Sequence, residues 1–149
     1  MGELRERIGD ETNSALKAGE KTKVSALRLL SAAVKNREVE VQHELDDEEV
    51  REIATREAKK RKEAIDAYEK GGRPELVEKE AAQLEAIAGY LPEQLSDEEL
   101  DALIDEAVTS AGATSIQEMG KVMGLVMGKA KGKADGKVVQ EKVKARLAG

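Results

Sequence analysis

The residues of this 149-residue chain that point most clearly to chemistry lie in one short stretch, Gly128-Lys129-Ala130-Lys131-Gly132-Lys133-Ala134-Asp135-Gly136-Lys137. Four lysines (Lys129, Lys131, Lys133 and Lys137) alternate there with small residues, in a segment too rich in glycine to predict a stable helix. Small side chains leave backbone N–H groups open and lysines supply positive charge, a combination suited to phosphate oxygens. A solvated flexible loop would have the same composition. The segment is not a nucleotide-binding P-loop, because G-x-x-x-x-G-K-[ST] is absent. Just upstream a glycine ladder begins, Gly120, Gly124, Gly128, Gly132 and Gly136, with Lys121 inside it. At about 100° per residue, its first three members form a smooth stripe beside Met119, Met123, Met127, Val122 and Val126. Such a stripe admits another backbone, whether a partner helix or a sugar–phosphate chain, and it equally suits tight packing within the chain.

Most other chemistries are excluded by residue type. There is no cysteine, so disulfides, thiolate metal sites and cysteine nucleophiles are ruled out. The single histidine, His43, has only Glu40, Glu44 and Asp46 near it in sequence, a poor metal set, and no metal or cofactor is expected. Ser14, Ser25, Ser31, Ser96, Ser110 and Ser115 have no histidine placed beside them, and acid pairs are everywhere in a chain with 31 Asp+Glu. No catalytic residue is nominated. With no Trp or Phe, a nucleic acid would be held through its backbone and shape rather than by base stacking.

The net charge of -6 hides an asymmetry. Residues 1–119 carry 17 basic and 29 acidic side chains, while residues 120–149 carry 8 basic and 2 acidic. The end of the chain therefore meets something anionic, or docks on the acidic body of its own chain. A second basic run, Lys59-Lys60-Arg61-Lys62, is interleaved with Glu52, Glu57, Glu63 and Asp66 and reads as a salt-bridged helix surface. No run approaches the roughly 18 apolar residues of a membrane span, so no membrane partner is expected. The N-terminus is charged from Glu3 onward and lacks a signal-peptide apolar region, which predicts a cytoplasmic protein.

The elements that position these residues are helices throughout. Leu4, Ile8, Ala15 and Leu16 mark a first helix closed by Gly19, and Val24, Leu27, Leu30, Val34 and Val41 a long second one. Asp46 with Glu49 predicts a capping box before a third, carrying Val50, Ile53, Ala54, Ala64, Ile65 and Tyr68 and broken at Gly71-Gly72. Pro74 opens a fourth that buries Val77, Ala81, Leu84 and Ile87 and stops at Tyr90-Leu91-Pro92. Ser96 with Glu99 opens a fifth, Thr114 and Ser115 a sixth, and a last runs from about Asp135 to Leu147 with Val138, Val139, Val143 and Leu147 inside. The fold class is all-α: a four-helix N-terminal body, residues 1–93, followed by a smaller three-helix C-terminal lobe, residues 94–149, read as a basic tail domain.

Three segments carry a family resemblance. They are Ser25-Ala26-Leu27-Arg28-Leu29-Leu30 with Val34-Lys35-Asn36 and Glu38-Val39-Glu40; Tyr90-Leu91-Pro92-Glu93-Gln94-Leu95-Ser96; and Met119-Gly120-Lys121-Val122-Met123-Gly124 with Lys131-Gly132-Lys133-Ala134-Asp135-Gly136. Together they resemble the YqeY-like family, related to the C-terminal tail domain of the GatB subunit of tRNA-dependent amidotransferases, over nearly the whole chain. The resemblance implies a helical body with a smaller helical tail. It also implies a non-catalytic accessory module that holds tRNA, beside an amidotransferase complex or another protein. The segments it assigns to nucleic acid are Gly120–Gly124 and Lys131–Gly136; together with the flanking lysines of the charged stretch, the candidate nucleic-acid-binding residues are Lys121, Gly124, Lys129, Lys131, Gly132, Lys133 and Lys137. An alternative is a protein-interaction module whose Met/Gly face of residues 119–128 receives a partner helix. A third reading is a carbon–nitrogen ligase with glutamine as amido donor. That reading rests on the family's label, since no amidase Ser–Lys arrangement or nucleotide pocket is found in these residues.

Overall fold

The ends of the helices are set by residues whose backbone or side chain suits a terminus. The computed structural model describes residues 2–149, and these form seven α-helices with two single 3-10 turns and no strand. Helix α1 (Glu3–Ala18) closes on Gly19, left-handed at φ 73. Helix α2 (Lys21–Val41) closes on Gln42, whose φ of 59 makes it the one non-glycine in the left-handed region among the described residues. Capping boxes open α3 (Asp47–Lys70) and α5 (Asp97–Ala111). In each, the Asp46 or Ser96 side chain accepts from the N–H of Glu49 or Glu99, and that glutamate accepts from the cap N–H in return. Pro74 takes the first position of α4 (Pro74–Ile87), which tightens into a 3-10 turn at Ala88–Tyr90. Ser115 and Glu118 form a capping box around a separate 3-10 turn, Ile116–Glu118, so α6 (Met119–Ala130) itself begins without a side-chain cap. Helix α7 (Gly136–Ala148) starts on Asp135, whose carboxylate accepts from the Lys137 N–H.

The chain divides into two compact units, one running to Leu91 and the other from Pro92 to Gly149. In the first, α2 presents Leu27, Leu30 and Val34 to Ile8 of α1, to Val50, Ile53 and Ala54 of α3, and to Ile87 and Tyr90. In the second, α5, α6 and α7 enclose Leu100, Ile104, Val108, Val122, Val126, Val139 and Val143. Met119, Met123 and Met127 pack half-buried against that second core.

Several side chains depart from the apolar pattern, among them Leu16 of α1, which is 49% exposed. Ala81 is exposed on α4, and its neighbour Gln83 is buried instead. The amide oxygen of Gln83 accepts from Arg61 Nη1 at 3.2 Å, so its burial leaves that oxygen satisfied. The same Arg61 pairs with Glu80 at 3.2 Å, so this member of the Lys59–Lys62 run bridges two helices, while Lys60 pairs along α3 with Glu57 at 3.1 Å. On α7 the inward row is Val139, Val143 and Leu147 at intervals of four, which turns Val138 outward to 39% exposure.

Glu38 joins three elements of the first unit. It accepts from Arg5 Nε of α1 at 2.6 Å, from Arg5 Nη2 at 3.0 Å, and from the Leu45 N–H of the α2–α3 connection at 2.9 Å. The Arg5 guanidinium, helped by the Leu45 amide, holds this carboxyl below its ordinary value of 4.5. A carboxylate lowered in the folded state contributes stability that is present above its unfolded pKa and lost as pH falls through the folded one. Glu38→Gln is expected to cost about 1–2 kcal/mol at neutral pH in urea unfolding. The gap to the native protein should close as pH drops below about 4, and a gap of equal size in acid would rule out this role for the charge.

Candidate nucleic-acid interface

The lysines singled out by the sequence fall on three connected pieces of the second unit: α6, the turn at residues 131–135, and the start of α7. Helix α6 extends through Gly128, Lys129 and Ala130, further than its glycine content predicts, because Val126 and Ala130 are fully buried in the core and anchor its last turn. The turn that follows is fixed at two points. Gln94 Nε2 donates to the Gly132 carbonyl at 2.8 Å and Leu95 N–H donates to the Lys133 carbonyl at 2.8 Å. Lys133 N–H in turn bonds the Ala130 carbonyl at 2.8 Å. Gln94 and Leu95 are positioning residues that the charge pattern does not reveal. Their signal in the sequence is their place in the Tyr90–Ser96 segment, shortly after Pro92, the first residue of the second unit.

The cations divide into two groups. Lys129 pairs with Glu106 at 3.3 Å, Lys142 with Asp101 at 2.8 Å and Asp97 at 3.9 Å, and Arg146 with Asp105 at 2.9 Å. The Asp101 carboxylate holds the Lys142 ammonium above its ordinary value. All four of these acids belong to α5, so the cations meet the acidic helix of their own unit. Over residues 92–149 the count is eight basic and ten acidic side chains, so the positive charge belongs to the segment from residue 120 on and not to the unit as a whole. Lys121 Nζ lies 3.4 Å from the Ala111 carbonyl at the end of α5, a site that favours a cation. Lys131, Lys133 and Lys144 are exposed and make no ion pair among the described residues. Lys137, at the first turn of α7, is exposed and engaged through its backbone by Asp135.

The glycine ladder serves two different purposes. Gly120, Gly124 and Gly128 face open space, and a Cβ on any of them would meet nothing within 4 Å. The stripe is therefore not used to pack helices within this unit. It lies outward beside Leu125, which is 44% exposed. Gly132 differs, since its φ of 76 is required by the turn that carries Lys131 and Lys133. No group of three or more metal-ligating side chains occurs among the described residues, and His43 is engaged by Glu49 at 2.8 Å and the Val41 carbonyl at 3.2 Å.

Comparison with known proteins bears on the whole of this chain. A family model described as Yqey-like protein matches residues 5–147. Two curated relatives are both named altered inheritance of mitochondria protein 41, mitochondrial. The one from Eremothecium gossypii is 30% identical over 119 residues, covering 75% of this chain and 65% of that protein. The one from Lachancea thermotolerans is 28% identical over 102 residues, covering 66% of this chain and 54% of that protein. The chain thus spans less than two thirds of the length of these relatives. Their names correct the expectation of a cytoplasmic location: both relatives are named as mitochondrial proteins.

The two kinds of glycine predict substitutions of opposite sign. Gly132→Ala forces a Cβ into the left-handed region and is expected to destabilise the second unit by about 1 kcal/mol. Gly124→Ala adds a methyl into open space within a helix and is expected to stabilise it by roughly 0.5–1 kcal/mol. Calorimetric melting of the two variants checks the pair, and equal shifts would refute the distinction.

Proposed function

The chain belongs to the YqeY-like family, and on that premise we propose that it is a non-catalytic accessory module that binds tRNA, akin to the tail of the GatB subunit and acting beside a glutamine-dependent amidotransferase. The observation that carries the reading is the turn at residues 131–135. Its backbone is held by Gln94 and Leu95, and it offers Lys131 and Lys133 without competing carboxylates. Lys121, Lys129 and Lys137 extend the positive segment on either side. The open backbone at Gly120, Gly124 and Gly128 lets a sugar–phosphate chain come close to α6, while Gly132 serves by shaping the turn. Without aromatic residues in this unit, recognition goes through phosphates and the shape of folded RNA rather than through stacked bases.

The rival reading, a surface for a partner helix, is also served by the glycine stripe. The methionines of that face are occupied in the core, so the exposed apolar contact available to a partner is Leu125. The two readings separate on salt. Phosphate contacts release counterions and weaken steeply with ionic strength, whereas apolar helix docking does not.

Titration of labelled total tRNA by fluorescence anisotropy at several salt concentrations tests the proposal. Binding should weaken with salt, and the joint change Lys131→Glu and Lys133→Glu should abolish it, with the salt slope falling by about one unit per lysine removed in single variants. Lys142→Glu, at a cation already paired to Asp101 and Asp97, should change affinity far less. Gly124→Ala should weaken binding although it stabilises the fold. Absence of binding even at low salt would overturn the reading, and salt-tolerant capture of a protein, lost on Leu125→Glu, would favour the rival.

A further inference from the structure

Helix α2 carries a face that the core does not use. Lys21, Val24, Ser25, Arg28 and Leu29 follow one another at helical spacing and form one wall of an open groove of about 570 Å³. Ala15 and Leu16 of α1 stand on the other side. The volume falls in the roughly 300–1,000 Å³ range of pockets that bury the apolar surface of a ligand. Leu16 is 49% exposed and Leu29 45%, so both rims are apolar, and the short side chains of Ala15 and Ser25 keep the floor between them low. In the Ser25–Leu30 segment the core accounts for Ala26, Leu27 and Leu30, which are buried, and leaves Ser25, Arg28 and Leu29 exposed.

The charge around this groove is opposite to that of its unit. Residues 12–35 hold five basic side chains and one acidic, whereas the remaining residues up to Leu91 hold twelve basic and twenty acidic. The one acid of the wall, Glu20, faces Lys23 at 4.0 Å. Lys21 and Arg28 make no ion pair among the described residues. They are seven residues apart, two turns of α2, and so share one face at about 10 Å along its axis. The groove therefore presents cation, apolar surface and cation in line. Its complement is acid, apolar side chain and acid at the same spacing on a helix laid beside α2. A strand would find no sheet edge to join, because the described residues contain no strand. Nucleic acid matches the groove less well, since its phosphates would lie against Leu16 and Leu29 with no aromatic wall on which a base could stack.

We propose that the groove between α1 and α2 receives an acidic amphipathic helix of a partner protein. The apolar side chains of that helix sit between Leu16 and Leu29, and its carboxylates meet Lys21 and Arg28. The groove lies wholly in the unit that ends at Leu91 and uses none of the lysines assigned to RNA, so it stands or falls independently of the tRNA reading.

The test is an amide NMR titration of the full chain with a synthetic alanine-based helix of about 15 residues. The peptide bears two glutamates seven residues apart with a pair of leucines midway between them, and a control peptide has lysines in place of the glutamates. Saturable shifts at Leu16, Ser25, Arg28 and Leu29 with the glutamate peptide, and none with the control, are expected. Arg28→Glu, at an exposed side chain, should keep the melting temperature and weaken binding at least about tenfold. The same variant should gain affinity for the lysine peptide, a reversal that damage to the fold does not produce. Leu29→Glu should weaken binding of the glutamate peptide to a similar degree. Absence of shifts with the glutamate peptide, or equal shifts with the control, would overturn the proposal. So would total tRNA perturbing the same amides, which would give the groove to nucleic acid. Self-association of the free chain in sedimentation, lost on Leu29→Glu, would overturn it in favour of a second copy.

Discussion

Neither unit has a phenylalanine or tryptophan to fill its interior, and Tyr90 is the one aromatic among the fully buried side chains. Leu, Ile, Val and Ala must supply the rest, each stabilising by at most about 1.5–3 kcal/mol when fully buried, and alanine by less. Helices lined with such short side chains must present long regular stripes, and their ends must not fray. The first unit meets this demand with α2 and α3, of 21 and 24 residues. The second is smaller and buries a smaller fraction of its surface. It relies more on polar contacts at its margins: the capping boxes at Ser96 and Ser115, and the two bonds from Gln94 and Leu95 to the basic turn.

Those margins also decide where charge is felt. The acids of α5 face Lys129, Lys142 and Arg146 across the second unit, and the pairs are mostly solvent-exposed. Exposed pairs of this kind contribute about 0–1 kcal/mol each. Their larger effect is electrostatic, since they cancel part of the positive field of the end of the chain and leave Lys131 and Lys133 as its strongest feature. A linear count of charges by segment overstates the field, because acids far away in sequence lie beside the cations in space.

Helix starts and stops were legible in the sequence wherever one residue type has a single local use. Asp46, Pro74, Ser96 and Gly19 all sit where their chemistry places them. Less was legible where the outcome depends on a partner from another helix. Gln83 is buried because Arg61 of α3 reaches it, and Ala81 is left outside although it fits the apolar pattern. Val138 and Val139 are identical in type, and only the register of α7 against the core separates them. The glycine ladder is visible at once, but its spacing carries no sign of direction. Its first three members face outward and Gly132 shapes a turn. At the candidate interface the lysines were evident from composition, whereas Gln94 and Leu95, which hold the turn beneath them, act through backbone carbonyls that no side-chain pattern marks.

Both tyrosines of the chain, Tyr68 and Tyr90, lie in the first unit, and the second contains no aromatic residue at all. Ultraviolet fluorescence and near-ultraviolet dichroism therefore observe only half of this molecule. A melting curve followed at those wavelengths is the curve of the first unit, while far-ultraviolet dichroism and calorimetry respond to both. Disagreement between the two kinds of curve would signify separate melting of the units rather than an intermediate within either. Because Leu125 is exposed on α6, a tryptophan in its place would give the second unit an optical signal of its own, at the surface where a ligand is expected to arrive.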